Sequence, residues 1–584
     1  MSTPLEPAKV VEFFKADIQG DSIHERLFTA GNMYLIAAAI GPEATRNELI
    51  PFISKESDFD GEIRAIFAEQ LGTFVKYVGG PKHATVLLAP LKNLADSEEN
   101  FVREKAINSI ANVCSYIPPQ QADSIISGLL LGLFSGTLTT SKTAACSLLS
   151  LLYDKVSDQS KSKLRRAFLS CLRDETPIVR RAGLAALPKL CVLLKQNIII
   201  SEIVRQGLSE RISDDDESIR VIIPNCFPQI ASKLTPQDRT QVLVPLAKSL
   251  AKDSSWWVRA NMAKMLPNLV PYFATDLVGS DIGAILLFLL RDQDPEVKTA
   301  ACGCCKQIVD VLAKVTSYFV DSVLPEIQQL STERFKQVRE EVASDILYFA
   351  RIVPESVAEE KMFPIVSNLI SDKERDVIIA ILKGIGANFG LINSFSLTKA
   401  ILPRIIEVAK KEDWRVKIEI IRNFCLFLPF VTPEAIPVQI IPLISDWLQD
   451  SVYAVREEMA RTLPDFLTVM ESDPSVPGKG NRDEIISIII RLSNSQSYSI
   501  RQSSLLAISF IGEVFPSDVM GERILPAVLL MASDQVANVR ILASKTLQRL
   551  KSYVDSTGLA KINLCLKLLT NDPDPDVKYF SSNR

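Results

Sequence analysis

The sequence predicts an all-α fold, an α-solenoid (superhelical horseshoe) of about fifteen repeats of ~39 residues. Three observations carry that prediction. A small apolar residue followed by Arg or Lys recurs along the chain: Ile63-Arg64, Val102-Arg103, Val179-Arg180, Ile219-Arg220, Val258-Arg259, Val297-Lys298, Val338-Arg339, Val416-Lys417, Val455-Arg456, Ile500-Arg501, Val539-Arg540 and Val577-Lys578. Arg26 begins the series, and Lys142 and Val377-Ile378 are degenerate copies, so the steps run from 38 to 41 residues apart from one of 45. Proline keeps the same beat at positions 51, 90, 245, 325, 364, 403, 442 and 526, thirteen or fourteen residues before the cation position of its repeat, which Ile378 holds in one degenerate copy. Glycine is scarce, 23 of 584 residues, against a usual share of ~7%. That leaves little material for β-turns, phosphate loops or nucleotide folds.

Each repeat reads as two helices and a turn. Proline has no N–H and fits a first turn, so it marks where the first helix starts or bends. An apolar stretch of helical period follows, as in Pro364-Ile365-Val366-Ser367-Asn368-Leu369-Ile370. Next comes a polar turn, usually with Asp: Asp174-Glu175-Thr176-Pro177, Asp292-Gln293-Asp294-Pro295, Asp572-Pro573-Asp574-Pro575. These residues stop the first helix, and a carboxylate there caps free N–H groups at the start of the second. The second helix opens on the Val-Arg pair and continues amphipathically, as in Arg180-Arg181-Ala182-Gly183-Leu184-Ala185-Ala186-Leu187, where Ala and Gly allow close packing. Two such helices cannot bury their apolar faces alone, so neighbours must stack. Repeat length and the Asp…Val-Arg turn are those of HEAT repeats. The 45-residue step coincides with Glu471-Ser472-Asp473-Pro474-Ser475-Val476-Pro477-Gly478-Lys479-Gly480, expected as a surface loop between repeats 12 and 13.

The function classes narrow quickly. With 65 basic and 69 acidic side chains the net charge is −4, so no global cationic field favours nucleic acid or anionic lipid. The N-terminus lacks the basic and apolar regions of a secretory signal. One of the longest apolar stretches, Ile282 to Leu290, falls short of the ~20 residues a membrane span needs. Ten scattered cysteines among apolar neighbours read as reduced, buried thiols in an intracellular protein.

No catalytic constellation stands out. The two histidines, His24 and His83, lie near no Ser or Cys nucleophile motif. Nucleotide-loop and nucleophile-elbow motifs are absent. Cys302-Gly303-Cys304-Cys305 has a C-x-x-C spacing but falls inside a predicted second helix without a second ligand pair, so core packing is the expected role. No cofactor or metal is expected in this chain.

Information concentrates in the turns. Three of the four tryptophans lie there, Trp256 and Trp257 beside Val258-Arg259 and Trp414 beside Val416-Lys417, with Tyr453 and Tyr498 in similar places. Large aromatics in solvent-facing turns contribute little to folding and make good partner anchors, although rings on stacked turns also pack on each other. The repeated cations serve the fold first: their stems cover apolar surface and their heads bridge to Asp or Glu of a neighbouring turn. A partner contact is then added in some repeats only.

At these residues the chain resembles the scaffold (A, 65 kDa regulatory) subunit of protein serine/threonine phosphatase 2A, a HEAT-repeat family. The carrying segments are Ala68-Glu69-Gln70-Leu71-Gly72-Thr73-Phe74, Val78-Gly79-Gly80-Pro81, Asp174-Glu175-Thr176-Pro177-Ile178-Val179-Arg180-Arg181-Ala182, Trp414-Arg415-Val416-Lys417, Val452-Tyr453-Ala454-Val455-Arg456-Glu457, Val536-Ala537-Asn538-Val539-Arg540 and Asp576-Val577-Lys578-Tyr579-Phe580. The resemblance covers nearly the whole chain. It implies a single solenoid over 1–584 with no catalysis of its own. A variable regulatory B-type subunit would sit on repeats 2–8 (44–317) and the phosphatase catalytic subunit, which holds the metals, on repeats 11–15 (397–584). The catalytic-subunit face it implies includes Trp414, Arg415, Lys417, Tyr453, Arg456, Arg501, Asn538 and Val539. The regulatory-subunit face includes Glu98, Glu99, Pro177, Arg180, Arg181, Trp256, Trp257 and Arg259. Hetero-dimers and trimers are implied, in the cytoplasm, with the nucleus open as a second compartment and no membrane or nucleic-acid partner.

Three departures from the family pattern bear on these expectations. Repeat 4 reads Gly136-Thr137-Leu138-Thr139-Thr140-Ser141-Lys142 where the family carries an acidic residue and Trp. Repeat 7 has Trp256-Trp257-Val258-Arg259 for Trp-Arg-Val-Arg, losing one cation. The last helix, ending Tyr579-Phe580-Ser581-Ser582-Asn583-Arg584, is short, and a short cap would fray repeat 15. The alternative of another functional class is a transport receptor of the importin-β kind, also a HEAT solenoid. Such receptors are typically longer and more acidic, whereas the turns here mix both signs, as Asp214-Asp215-Asp216-Glu217 against Arg180-Arg181 shows.

Overall fold

Proline sits inside the first helix of its repeat, nine residues downstream of where that helix begins: Pro245 against Pro236, Pro364 against Glu355, Pro526 against Ser517. Between start and proline lies one wide π-helical turn, at Arg239–Leu243, Phe319–Val323, Ala358–Met362, Ile436–Ile440 and Met520–Ile524. The residue after each turn donates its N–H to a carbonyl five residues back, as Val244 to Arg239 and Phe363 to Ala358. That register absorbs the missing proline donor and relieves the ring's clash with the carbonyl four residues back. The marker is therefore a bend and not a start.

The computed structural model describes residues 7–55, 59–273, 281–312, 316–411, 413–432, 434–472 and 478–582. Among them every regular element is helical, as predicted. They form two compact units, Met1–Ala301 and Cys302–Arg584.

In the first unit, repeat 5 shows the plan. Its first helix, Asp158–Cys171, is capped by the Ser157 hydroxyl, which accepts from the Ser160 N–H at 3.3 Å. Its second, Pro177–Leu193, begins with proline in the first turn. Leu164, Phe168 and Leu172 of the first half and Val179, Leu184, Leu187 and Cys191 of the second are all buried. Each such side chain contributes about 1.5–3 kcal/mol of burial, and none finds enough cover within one repeat. Second helices accordingly stack on second helices, Gly61–Gly72 on Asn100–Ser115 and Thr139–Leu152 on Pro177–Leu193. Gly72 permits one of these contacts, because a Cβ there would overlap the Ser109 side chain.

The second unit repeats the plan in Lys336–Ala350, Arg375–Asn388, Trp414–Phe424, Tyr453–Ser472, Tyr498–Ile511, Ala537–Leu550 and Pro575–Ser582, each paired with a preceding first helix. Gly384 brings Arg375–Asn388 against the backbone of the preceding second helix; a Cβ would lie 3.1 Å from the Ala343 carbonyl oxygen. The fourth tryptophan, Trp447, is in the core, edge-on to Phe424, which stacks on Phe466. Around the 45-residue step, helices end at Ser472 and resume at Gly478; residues 473–477 of the expected loop lie outside the described residues, as do Asn583 and Arg584. The final helix, Pro575–Ser582, buries Val577 and Ser581.

Cys302, Cys304 and Cys305 are buried in the helix Pro295–Leu312, and all ten cysteines are free thiols. Among the described residues no His/Cys/Asp/Glu group could hold a metal, and no helix is long and apolar enough to cross a membrane.

Candidate protein-interaction interface

In most repeats the turn between the two helices is built around one Asp and one cation. The Asp stands six residues before its own repeat's cation and accepts the backbone N–H two residues on: Thr176 to Asp174 at 2.9 Å, Ser255 to Asp253 at 2.8 Å, Val452 to Asp450 at 2.8 Å, Val536 to Asp534 at 2.9 Å. The carboxylate thus caps the turn itself, while N-caps such as Ser255, Thr176 and Val536 make no side-chain cap bond. The Arg uses its Nη1 on its own turn. Arg259 donates to the carbonyls of Asp253 (2.8 Å) and Ser254 (3.1 Å), and Arg540 to those of Asp534 (2.8 Å) and Gln535 (3.2 Å).

Its Nε and Nη2 reach forward to the Asp of the next repeat as a two-pronged ion pair. These rungs are Arg220–Asp253 (2.7 and 2.9 Å), Arg259–Asp292 (2.7 and 2.9 Å), Arg339–Asp372 (2.7 and 2.9 Å) and Arg540–Asp572 (2.7 and 2.8 Å). Arg501–Asp534 repeats the arrangement, while Lys142–Asp174 and Lys417–Asp450 make single-pronged rungs at 2.7 Å, and Arg180–Asp214 closes at 2.9 Å. The Arg501 and Arg540 guanidinium groups hold the Asp534 and Asp572 carboxyls below their usual value. The rungs bring consecutive turns side by side within each unit.

The first turn of each second helix faces solvent beyond the rungs. The residue before the cation points inward: Val102, Val179, Val258, Val455 and Val539 are fully buried. The residues two and three before it are half exposed, and in several repeats they are large and apolar. Trp256 and Trp257 are each 47% exposed, Tyr453 54% and Tyr498 51%. Phe101 and Ile178 share that register and Leu138 lies just ahead of its helix, all exposed; the helical phase of the Val-Arg pair is the sequence signal that points to them.

The sixteen residues implied by the resemblance take different places in this frame. Arg180, Arg259, Lys417 and Arg501 are rungs. Glu99 pairs with Arg64, and half-buried Pro177 starts its helix. Open to solvent are Glu98, Arg181, Trp256, Trp257, Arg415, Tyr453 and the Asn538 side chain. Trp414 is half-buried, capped from below by Asp413, whose carboxylate accepts the Arg415 N–H at 3.0 Å, and the Arg415 guanidinium lies 4.3 Å over its ring. Val539 belongs to the core, which leaves no side chain for a partner. Arg456 is only 6% exposed and makes no rung.

The comparisons with known proteins follow this architecture. A HEAT-repeat family model matches residues 282–312. The chain is 34% identical over 270 residues to a PP2A regulatory subunit of Saccharomyces cerevisiae, covering 44% of this chain and 42% of that protein. With the "Protein phosphatase 2A scaffold subunit" of Dictyostelium discoideum identity is 34% over 189 residues, 32% of each chain. With the "Serine/threonine-protein phosphatase PP2A 65 kDa regulatory subunit" of Drosophila melanogaster it is 38% over 167 residues, 29% of this chain and 28% of that protein. The matched stretches thus span less than half the length of these curated relatives. Among solved structures, a Kap121p mutant superposes with a TM-score of 0.67 at 14% identity over 96% of this chain and 59% of that one. Kap95p, from a study of its binding to RanGDP, gives 0.58 at 15% over 99% and 82%. These two likenesses concern the fold alone.

Proposed function

We propose that this chain, a HEAT-repeat protein related to regulatory and scaffold subunits of protein phosphatase 2A, is a non-catalytic scaffold that assembles the holoenzyme of such a phosphatase. In this reading a Ser/Thr phosphatase catalytic subunit, which carries the metals, sits on repeats 11–15 (397–584). A variable regulatory subunit sits on repeats 2–8 (44–317). The observation that supports it best is the pairing of a rigid row of rungs with half-exposed aromatics one helical turn away. Tyr453 on the C-terminal half and Trp256 and Trp257 on the N-terminal half are the anchors. The rungs hold the turns in register, so the anchors meet a partner with little ordering left to lose. Arg415 stacked on Trp414, together with Arg181, Glu98 and Asn538, supplies the polar rim.

A scaffold of this kind performs no bond chemistry. It raises the effective concentration of one subunit beside another and fixes their orientation. The compartment proposed is the cytoplasm, with the nucleus as a second.

The importin-type alternative rests on likeness of fold at 14–15% identity. Affinity purification of the tagged chain separates the two readings. Recovery of a phosphatase 2A catalytic chain in stoichiometric amount supports the scaffold. Recovery of Ran or basic cargo without a phosphatase contradicts it.

A further inference from the structure

One arginine of the second unit closes no rung. Arg456 makes the first half of the pattern, its Nη1 donating to the carbonyls of Asp450 at 2.7 Å and Ser451 at 3.1 Å. In the next turn, six residues before Arg501, the position that Asp holds in the closed rungs is Ser495. Ser495 keeps the turn-capping role, its hydroxyl accepting the Ser497 N–H at 3.3 Å, but it carries no charge. Neither Nε nor Nη2 of Arg456 has an acceptor among the described residues, although the residue is only 6% exposed and Nε is buried. The neighbouring rung shows what the pattern supplies: Arg501 has both Asp534 oxygens.

A buried guanidinium edge without an anion is costly. It is also a preformed fork for one carboxylate. Exposed phenol rings stand on the two turns concerned, Tyr453 three residues before Arg456 and Tyr498 three residues before Arg501. The Arg456 guanidinium lies 5.6 Å from the centre of the Tyr453 ring. Arg103 in the first unit also faces a turn without Asp, Gly136 standing in its place, but there Nη2 is satisfied by the Asn100 side chain at 3.0 Å. Arg456 alone among the described Arg rung positions has its forward edge unanswered.

We infer that the docking partner completes this rung in trans: an Asp or Glu side chain of the phosphatase catalytic subunit enters between Tyr453 and Tyr498 and takes the Nε–Nη2 edge of Arg456. The inference rests on the proposed function for the identity of the partner. It adds a recognition element, a single acidic side chain, at a place where Ser495 leaves room for it. Charge and shape favour a carboxylate on a folded partner over a free anion, because the flanking rings need a surface to cover them.

The test places the missing carboxylate in cis. Catalytic-subunit binding is measured by calorimetry for the wild type, Ser495→Asp, Arg456→Gln and Tyr453→Ala, with melting followed by circular dichroism. Ser495→Asp is expected to raise Tm and weaken binding about tenfold or more, since the fork is then occupied. Arg456→Gln is expected to weaken it comparably, and an acid-to-amide scan of the partner should find one residue whose loss is non-additive with Arg456→Gln. If Tyr453→Ala weakens binding while Ser495→Asp binds like wild type, the docking reading stands and this inference is overturned, whether or not Tm rises. If the wild type does not bind at all, the proposed function falls and takes this inference with it.

Discussion

Arg259 closes on Asp292, 33 residues ahead, with Nε to Oδ2 at 2.7 Å and Nη2 to Oδ1 at 2.9 Å. The same Asp292 oxygen Oδ1 receives the Asp294 N–H at 2.9 Å. One carboxylate therefore fixes the shape of its own turn and ties it to the repeat before. The side chains are 16% and 5% exposed, so the pair is worth more to the fold than a surface salt bridge. Removing one member leaves the other buried and unpaired.

Asp292→Ala should therefore destabilise the first unit by roughly 2–4 kcal/mol, slightly below the full cost of breaking a buried pair because Arg259 keeps some solvent. The double variant Arg259→Ala/Asp292→Ala should cost less than the sum of the singles. Urea midpoints, with amide exchange over residues 253–300, read this out; additive single effects would show that the rung is not cooperative.

The exposed anchors behave oppositely. Trp257→Ala removes a half-exposed ring and should change stability by no more than ~0.5 kcal/mol. Binding of the regulatory subunit should fall about thirtyfold if the ring is a hot spot. Unchanged melting with lost affinity is the expected pattern, and lost melting with unchanged affinity would assign the ring to packing.

Acid stability follows from the rung carboxyls. Asp534 and Asp572 are held below the ordinary 3.8 by Arg501 and Arg540. Their folded values lie below the unfolded value, so their stabilisation is full above about pH 4 and is lost as pH falls through the depressed values. A pH–Tm profile should stay level down to the low fours and drop below that. Asp534→Asn should flatten that drop while lowering Tm at neutral pH.

Asp345 has the opposite sign. Burial raises its carboxyl, with Lys306 only partly compensating at 3.9 Å. Its ionisation therefore costs stability above the raised folded value and costs nothing below the unfolded one. Asp345→Asn should raise Tm at pH 7 and leave it unchanged near pH 3. A lower Tm at pH 7 would mean that the Lys306 contact outweighs burial.

Burial also pushes the Cys114, Cys191 and Cys425 thiols up to about 12, where thiolate is negligible at neutral pH. A thiol reagent at pH 8 should modify native protein slowly, starting at the half-buried Cys425 and Cys565, and modify all ten after denaturation. Rapid modification of Cys302 or Cys305 would contradict the core placement of that cluster.

Much of this architecture was legible in the sequence because the period is enforced by contact. Every Val before a cation must enter the core and most cations reach the next turn, so the Val-Arg beat survives in nearly every repeat. The π-helical turn was not legible: Pro245 or Pro364 announces a break in hydrogen bonding, and only the fold shows that the helix widens around it and runs nine residues further back. The open side chains were legible at Trp257 and Tyr453 and were missed at Phe101 and Ile178, which share their register but look like ordinary core residues in a list of types. The resemblance places Val539 on the partner face, and helical phase turns its side chain inward. The bare edge of Arg456 needed both halves: the Ser at 495 is visible in the sequence, but that nothing else answers the guanidinium is a matter of three dimensions.

The most direct test of the scaffold reading is the affinity of the full chain for a phosphatase 2A catalytic subunit, compared with Trp414→Ala/Tyr453→Ala. The account predicts tight wild-type binding that falls at least a hundredfold in the double variant, two interface anchors each contributing roughly 2 kcal/mol, with helicity and melting unchanged. Wild-type binding that the double variant leaves untouched would contradict the location of the face. No wild-type binding would contradict the scaffold itself.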